Sequence, residues 1–276
     1  MSAQTTSPTP ASPEKENPLA GAVARFGPPF AVAVLAIIGW FALSATVYKG
    51  KGYLFPSPLE VLAALRENYD VVGAALLVTL REALSGYVAA IVLGISTAAL
   101  LSQSRVLERS LYPYAVLLQT VPVVAIAPLI VLWFGYNDFS VILISVIISL
   151  FPIINNTLLG LQSTPRALVE LFQMHHTGRV RSFFKLRLPA ALPNIMAGLR
   201  ISAGLSVIGA IIGEFIIGNG NTQGGMGVQI IFAQGRMYTA LLFAEVIAAT
   251  LLGFVFFSLV NVTSTLLLRH WHESAA

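Results

Sequence analysis

An all-α, polytopic membrane fold is what this sequence predicts, and three observations predict it. Hydrophobic residues fill 56% of the 276 positions and Asp, Glu, Lys and Arg only 10%, against about 25% charged residues in a soluble domain. Six apolar stretches, near 28–47, 83–103, 112–134, 139–161, 190–217 and 239–267, are each long enough to cross a hydrocarbon core of about 30 Å as a helix. The positive residues alternate between the connecting segments in a way that orients those stretches. With so few charges, most of the surface must face a lipid bilayer.

Ten of the first eighteen residues are Ser, Thr or Pro. Residues 1–24 therefore read as a disordered tail, and no short apolar run follows a positive start as in a signal peptide. The membrane domain then spans 25–271, and 272–276 form a C-terminal tail. With the N-terminus in the cytoplasm, ten Lys and Arg fall on cytoplasmic segments and five outside, as the positive-inside rule requires. Both termini are then cytoplasmic, in a plasma membrane. The outer connection 48–80 contains Phe55-Pro56-Ser57-Pro58 and a short helical pattern from Leu59 to Leu65, with Pro58 suited to a first helical position.

Several chemistries are excluded by composition. The chain has no cysteine, so disulfides, thiolate metal sites and cysteine nucleophiles are absent. The histidine pairs His175/His176 and His270/His272 lack a carboxylate cluster, so no metal site is expected. The net charge of +4 is too small and dispersed for a nucleic-acid partner. No phosphate-binding G-x-x-x-x-G-K-[ST] occurs, and Gly218–Gly227 lacks the lysine. No nucleophile has a base beside it. Neither catalytic residues nor a cofactor are expected.

The longest cytoplasmic segment, 162–189, has its own structure. Thr164-Pro165 reads as an N-cap followed by a first-turn proline. Leu168, Leu171 and Phe172 recur at i, i+3, i+4 and give one apolar face. Thr177-Gly178 reads as the break. Val180, Phe183, Phe184 and Leu188 then line one side of a second pattern flanked by Arg179, Arg181, Lys185 and Arg187, which suits a lipid headgroup boundary. The first helix has no basic flank and suits a groove on a protein partner.

The membrane stretches also carry polar residues. Gly198, Ser202, Ser206, Ala210 and Glu214 follow one another at i+4, forming a small, polar stripe on the fifth helix. The stripe either packs helices closely, with Gly209 and Gly213 beside it, or lines a solute pathway. Asn155 and Asn156 follow Pro152. They either satisfy the carbonyl freed by that proline or line the pathway. Arg200, Glu214 and Glu245 are charges at depth, where each needs a partner or a wet cavity.

A resemblance enters with the cytoplasmic segment. Glu170 through Pro193 resembles the loop of permease subunits of bacterial ABC importers, whose pattern is Glu-Ala-Ala, three residues, Gly, nine residues, Ile-x-Leu-Pro. Glu170 takes the Glu position, Leu186-Arg187-Leu188-Pro189 closes the pattern, and the spacing agrees. Leu171 and Phe172 replace the alanines, and His176 stands where the family glycine belongs, with Gly178 two residues on as the expected break. Leu54-Phe55-Pro56-Ser57-Pro58, Thr120-Val121-Pro122, Leu132-Trp133-Phe134-Gly135, Phe151-Pro152, Gly198-Leu199-Arg200 and Gly213-Glu214-Phe215 extend the resemblance to the nitrate/sulfonate/taurine branch. It implies the type 1 permease fold with six membrane helices. It further implies two ATP-binding cassette ATPase subunits, a second permease subunit, expected as a homodimer, and an extracytoplasmic solute-binding protein. The coupling residues it implies are Pro165, Leu168, Glu170, Leu171, Phe172, His176 and Gly178. Pathway candidates are Asn155, Asn156, Ser202, Ser206 and Glu214. The implied cargo is a nitrate-, sulfonate- or taurine-like anion or a vitamin precursor. Competing readings are an ion-coupled secondary transporter, which usually shows repeat symmetry, and an assembly factor without a solute.

Overall fold

The computed structural model describes residues 18–50, 52–217 and 224–272. Almost every described segment is helical, because apolar backbone in a bilayer must satisfy its own hydrogen bonds. The predicted tail of residues 1–24 lies outside the described residues up to 17, and the last four residues of the C-terminal tail do so as well. The first helix, α1, already begins at Pro18 and runs to Thr46. The chain divides into two compact units, residues 1–59 and 60–276. In the first, the Trp40 indole N–H donates to the Pro56 carbonyl at 2.9 Å and Phe55 lies against Trp40 and Tyr48.

The expected short outer helix is present as α2, Pro58–Glu67, with Pro58 at its first position. The second membrane helix, α3, spans Tyr69–Leu101 and starts fourteen residues before the predicted stretch. Arg81 and Glu82 hid that extension in the sequence. Arg81 leaves the helix sideways to pair with Asp138, and Glu82 turns inward with only 3% of its surface exposed. The predicted third stretch is broken into α4, Arg105–Thr120, and α5, Val123–Phe134, which meet at 99°. Val121 is extended, as the residue before a proline tends to be, and Pro122 caps α5. Among the described residues five helices are each long and apolar enough to cross a membrane, and the count is six if the bent α4–α5 pair is one span.

Beyond Asn137, whose side chain accepts the Ser140 N–H at 3.1 Å, α6 runs from Asp138 to Gln162. A short helix α7, Arg166–Met174, follows. Next come one turn, α8, at Arg179–Ser182, a wide π-type turn over Phe183–Arg187, and the long helix α9, Leu188–Ile217. Pro189 has no N–H to return to Lys185, and the wide turn absorbs that loss. Helices α10, Met226–Gly235, and α11, Thr239–His272, complete the chain.

The most extensive pairing in the second unit is α6 with α9, and α3 packs on both. Small residues set the α6–α9 distance. A Cβ on Gly209 would stand 2.7 Å from Ser145 Cα, and one on Gly198 2.8 Å from the Pro152 carbonyl oxygen. Ser145 Oγ donates to the Ser206 carbonyl at 2.9 Å and Ser202 Oγ to the Ser149 carbonyl at 2.6 Å. Tyr87 of α3 donates to the Leu199 carbonyl at 3.0 Å and stacks edge-on against Phe256 of α11. Ala83, Ile144, Ala203, Val207 and Ala210 fill the centre.

This seam yields a paired prediction. Gly209→Val must push backbone away and should destabilise the chain by about 1–3 kcal/mol, the usual cost of overpacking. Gly204, on the same helix, has nothing within 4 Å of an added Cβ, and Gly204→Ala should stabilise by about 0.4–1 kcal/mol. Thermal unfolding in detergent measures both. Equal shifts would remove the close-approach account of the seam.

Candidate functional site

The cytoplasmic segment separates from the bundle as the sequence suggested, with two local corrections. Pro165 is the N-cap of α7 rather than its first residue, and Thr164 Oγ1 donates back to the Leu161 carbonyl at 3.4 Å. The break lies at His176, not at Thr177-Gly178. His176 has φ of +51°, while Gly178 is extended at φ −60°, ψ 155° and opens α8. The His176 N–H donates to the Gln173 carbonyl at 2.9 Å and the Thr177 N–H to the Phe172 carbonyl at 3.2 Å. That pair of bonds is the Schellman end of a helix, whose left-handed residue is usually glycine. The histidine therefore adopts the conformation of the glycine it replaces, at a cost that an L side chain ordinarily carries there.

None of the nine residues of α7 is buried. Val169 and Phe172 are half-buried. Leu168, Leu171 and Met174 face outward with 43%, 47% and 78% of their surfaces exposed. Glu170 is exposed beside them, four residues before Met174. This gives a short apolar ridge with an acidic edge. Next to that edge, Glu170, Val169 and Gln173 line a cavity of 710 Å³ shared with Arg105, Arg109, Arg166 and Arg187.

The five polar membrane residues take different places. Asn155 accepts the Tyr112 hydroxyl of α4 at 2.8 Å, and Asn156 donates to the Pro152 carbonyl at 2.8 Å; both are half-buried. Ser202 and Ser206 are fully buried against α6. Glu214 is 2% exposed and lies far from these, at the entry of α10, where the Thr79 hydroxyl and the Gly227 N–H donate to its two oxygens at 2.7 and 2.6 Å. Arg200, read as a charge in need of a partner, donates from Nε to Ser264 Oγ at 2.8 Å. Glu245 is 1% exposed. Thr79 and Glu82 were not singled out in the sequence, because the second stretch was begun after them. The signal available was their i, i+3 spacing just before an apolar run. Among the described residues no group of three or more His, Cys, Asp or Glu is placed to hold a metal.

Residues 90–270 match the model of the family described as "Binding-protein-dependent transport system inner membrane component". The match covers well over half of the chain, which therefore belongs to that family: it is a multi-pass membrane permease subunit of the ABC importer class. A probable ABC transporter permease protein of Haemophilus influenzae is 38% identical over 78% of this chain and 86% of its own. The formylaminopyrimidine transport permease protein of Halalkalibacterium halodurans is 36% identical over 79% and 86%. The riboflavin transport system permease protein of Chloroflexus aurantiacus is 29% identical over 88% and 90%.

The helix end at His176 gives the second prediction. His176→Gly removes the penalty of the left-handed conformation, about 1–2 kcal/mol per residue, and should slow amide exchange in the last turn of α7. His176→Val should speed it. Hydrogen exchange of the segment 168–178 reads both, and the opposite order would show that the side chain, not the backbone, sets this end.

Proposed function

We propose that this subunit forms, with a second copy of itself, the membrane pathway of an importer whose ATP is hydrolysed by separate cassette subunits. An extracytoplasmic binding protein supplies the solute. Both termini face the cytoplasm. The observation that carries the reading is α7, a two-turn helix whose apolar ridge is exposed among the described residues, at the spacing of the importer loop. The ridge of Leu168, Leu171 and Met174 seats in the ATPase groove, and Phe172 anchors the helix to the body. Glu170 meets the groove's rim. Pro165, His176 and Gly178 set the length and exit of the helix. Of the pathway candidates, Asn155 and Asn156 keep partly open surfaces. Ser202 and Ser206 act through the α6–α9 seam that moves beside the pathway, and Glu214 acts at the entry of α10. The solute is a small heteroaromatic vitamin precursor of the formylaminopyrimidine kind, since that relative is among the most similar and matches 79% of this chain. A nitrate- or sulfonate-like anion is the second choice, supported by less similar relatives named for aliphatic sulfonate transport and nitrate import.

The test joins purification and uptake. The tagged chain should retain an ATP-binding cassette subunit in detergent, and uptake of a radiolabelled formylaminopyrimidine should need that subunit. Glu170→Lys should lose the ATPase while the melting temperature of the chain stays put. Full assembly and uptake in that variant would remove α7 as the coupling element. A chain that runs alone without nucleotidase at every stage of purification would favour an ion-coupled carrier.

A further inference from the structure

Four arginines from three separate elements meet around one cavity at the α7 end of the bundle. Arg105 and Arg109 stand one turn apart on α4, Arg166 opens α7, and Arg187 closes the wide turn before α9. All four line the same space of 710 Å³. Among the described residues its other ionisable walls are Glu108 and Glu170. Four guanidinium groups against two carboxylates leave two positive charges in the wall without offset. Ser102, Gln103, Gln162 and Thr164 supply further polar wall. A second cavity of 290 Å³ shares Gln103, Gln173 and Arg187 with the first and adds Arg179.

An arginine near the end of a membrane helix ordinarily meets the headgroup layer by itself. Here four converge, and like charges gathered in this way favour an anion between them. The planar fork of a guanidinium matches phosphate oxygens two at a time. Two helices also begin at this cavity. Helix α4 starts at Arg105 behind its N-cap Ser104, and α7 starts at Arg166 behind Pro165, so the partial positive charge of each N-terminus adds to that of the arginines. The volume falls in the range of about 300–1,000 Å³ typical of small-ligand sites.

The outward side of α4 indicates what carries the anion. Val106, Leu107 and Leu111 point away from the face of Arg105, Glu108 and Arg109, with 73%, 42% and 50% of their surfaces exposed. Helix α4 thus offers an apolar side to acyl chains and a basic side to a headgroup, as helices at a bilayer surface do. Basic pockets between membrane helices suit anionic headgroups for the same reason.

We propose that this cavity binds a phosphate group through Arg105, Arg109, Arg166 and Arg187, and that the group belongs to an anionic phospholipid whose headgroup fastens α7 to α4. Arg166 lies on the outgoing limb of segment 162–189 and Arg187 on the returning limb. The bound phosphate therefore joins both limbs to the start of α4.

The test uses the full-length chain in neutral detergent and needs neither the ATPase nor transport. Phosphatidylglycerol should raise the melting temperature by several degrees over phosphatidylcholine, and native mass spectra should retain phosphatidylglycerol adducts. Arg105→Gln with Arg109→Gln, and separately Arg166→Gln with Arg187→Gln, should weaken the lipid's half-saturation roughly 25-fold, about fivefold for each charge removed. Arg181→Gln with Lys185→Gln removes the same charge beside the cavity and should leave half-saturation nearly unchanged. Glu108→Gln takes a carboxylate out of the wall and should bind the lipid more tightly, a gain that misfolding does not imitate. Inorganic phosphate is the second probe. An equal shift from phosphate alone, abolished by the same arginine pairs, would uphold the phosphate site and overturn its assignment to a lipid. No preference for phosphatidylglycerol over phosphatidylcholine without a phosphate shift, equal losses in all three double variants, or weaker binding by Glu108→Gln would each overturn the proposal.

Discussion

The rest of the structure depends on how closely α6 and α9 approach. In a bilayer, lipid tails compete on equal terms with leucine side chains, so helices associate through van der Waals fit and hydrogen bonds rather than through expulsion of water. Fit of that kind needs short distances. Gly198 and Gly209 allow them by presenting no side chain to Pro152 and Ser145. At those distances a serine hydroxyl reaches the backbone of the other helix, as Ser145 and Ser202 do. The third helix adds to this pair with the same means: a Cβ on Gly94 would lie 2.7 Å from Ile153 Cγ2, and Tyr87 reaches the Leu199 carbonyl. Substitutions in the seam therefore act on several helices together.

The seam also explains where the exposed α7 is mounted. It leaves α6 after Gln162 and returns through α8 and the wide turn into α9. The two helices that hold it are thus the two that are most tightly joined. Gly160, at the end of α6, has no room for a side chain against the Ala191 carbonyl oxygen, 2.9 Å from an added Cβ. Leu161, Ala191 and Ile195 form a small core at that same end. The exposed helix is thus carried between two helices that pack directly on one another. The prolines around it matter for the same reason. Pro165 fixes the entry of α7, and Pro189 fixes the wide turn by withholding a backbone donor.

Much of this was legible in the sequence, and the parts that were not have physical causes. The apolar stretches located α6 and α11 to within five residues and the end of α1 to within one, because hydrophobicity over twenty residues is a strong signal; α1 begins ten residues before its predicted stretch. The start of α3 was lost, because a window of apolarity stops at Arg81 and Glu82 whether those charges face water or pair inside. The sharp turn at Val121-Pro122 lies inside what reads as one apolar stretch, 112–134. Proline marks where a ladder can break, but the angle is set by packing. The helix end at His176 was displaced by two residues, because glycine is the usual occupant of a left-handed site and Gly178 stood nearby. Propensity pointed to the glycine, and the backbone chose the residue that completed both bonds to Phe172 and Gln173. Thr79 escaped notice for a deeper reason: its partner Glu214 is 135 residues away on another helix, and nothing local announces it.

Hydrogen-bonded side chains in this membrane domain fall into two kinds. The first return hydrogen bonds to their own helix: Ser85 to Arg81, Thr250 to Val246, Thr263 to Leu259 and Thr265 to Asn261. These can face lipid, because they leave no donor free. The second cross between helices: Ser145, Ser202, Tyr87, Tyr112 to Asn155, and Arg200 to Ser264. In each crossing a neutral or cationic donor meets an acceptor, so the arrangement closes without help. Three buried side chains belong to neither kind: among the described residues Glu82 Oε2, Thr157 Oγ1 and Glu245 Oε2 have no hydrogen-bond partner. A buried polar group left unpaired costs about 1–3 kcal/mol, and more where a charge is involved. Ala83, beside Glu82, and Tyr87, five residues on, are buried in the core all the same, so the packing of α3 on α6 and α9 carries that cost.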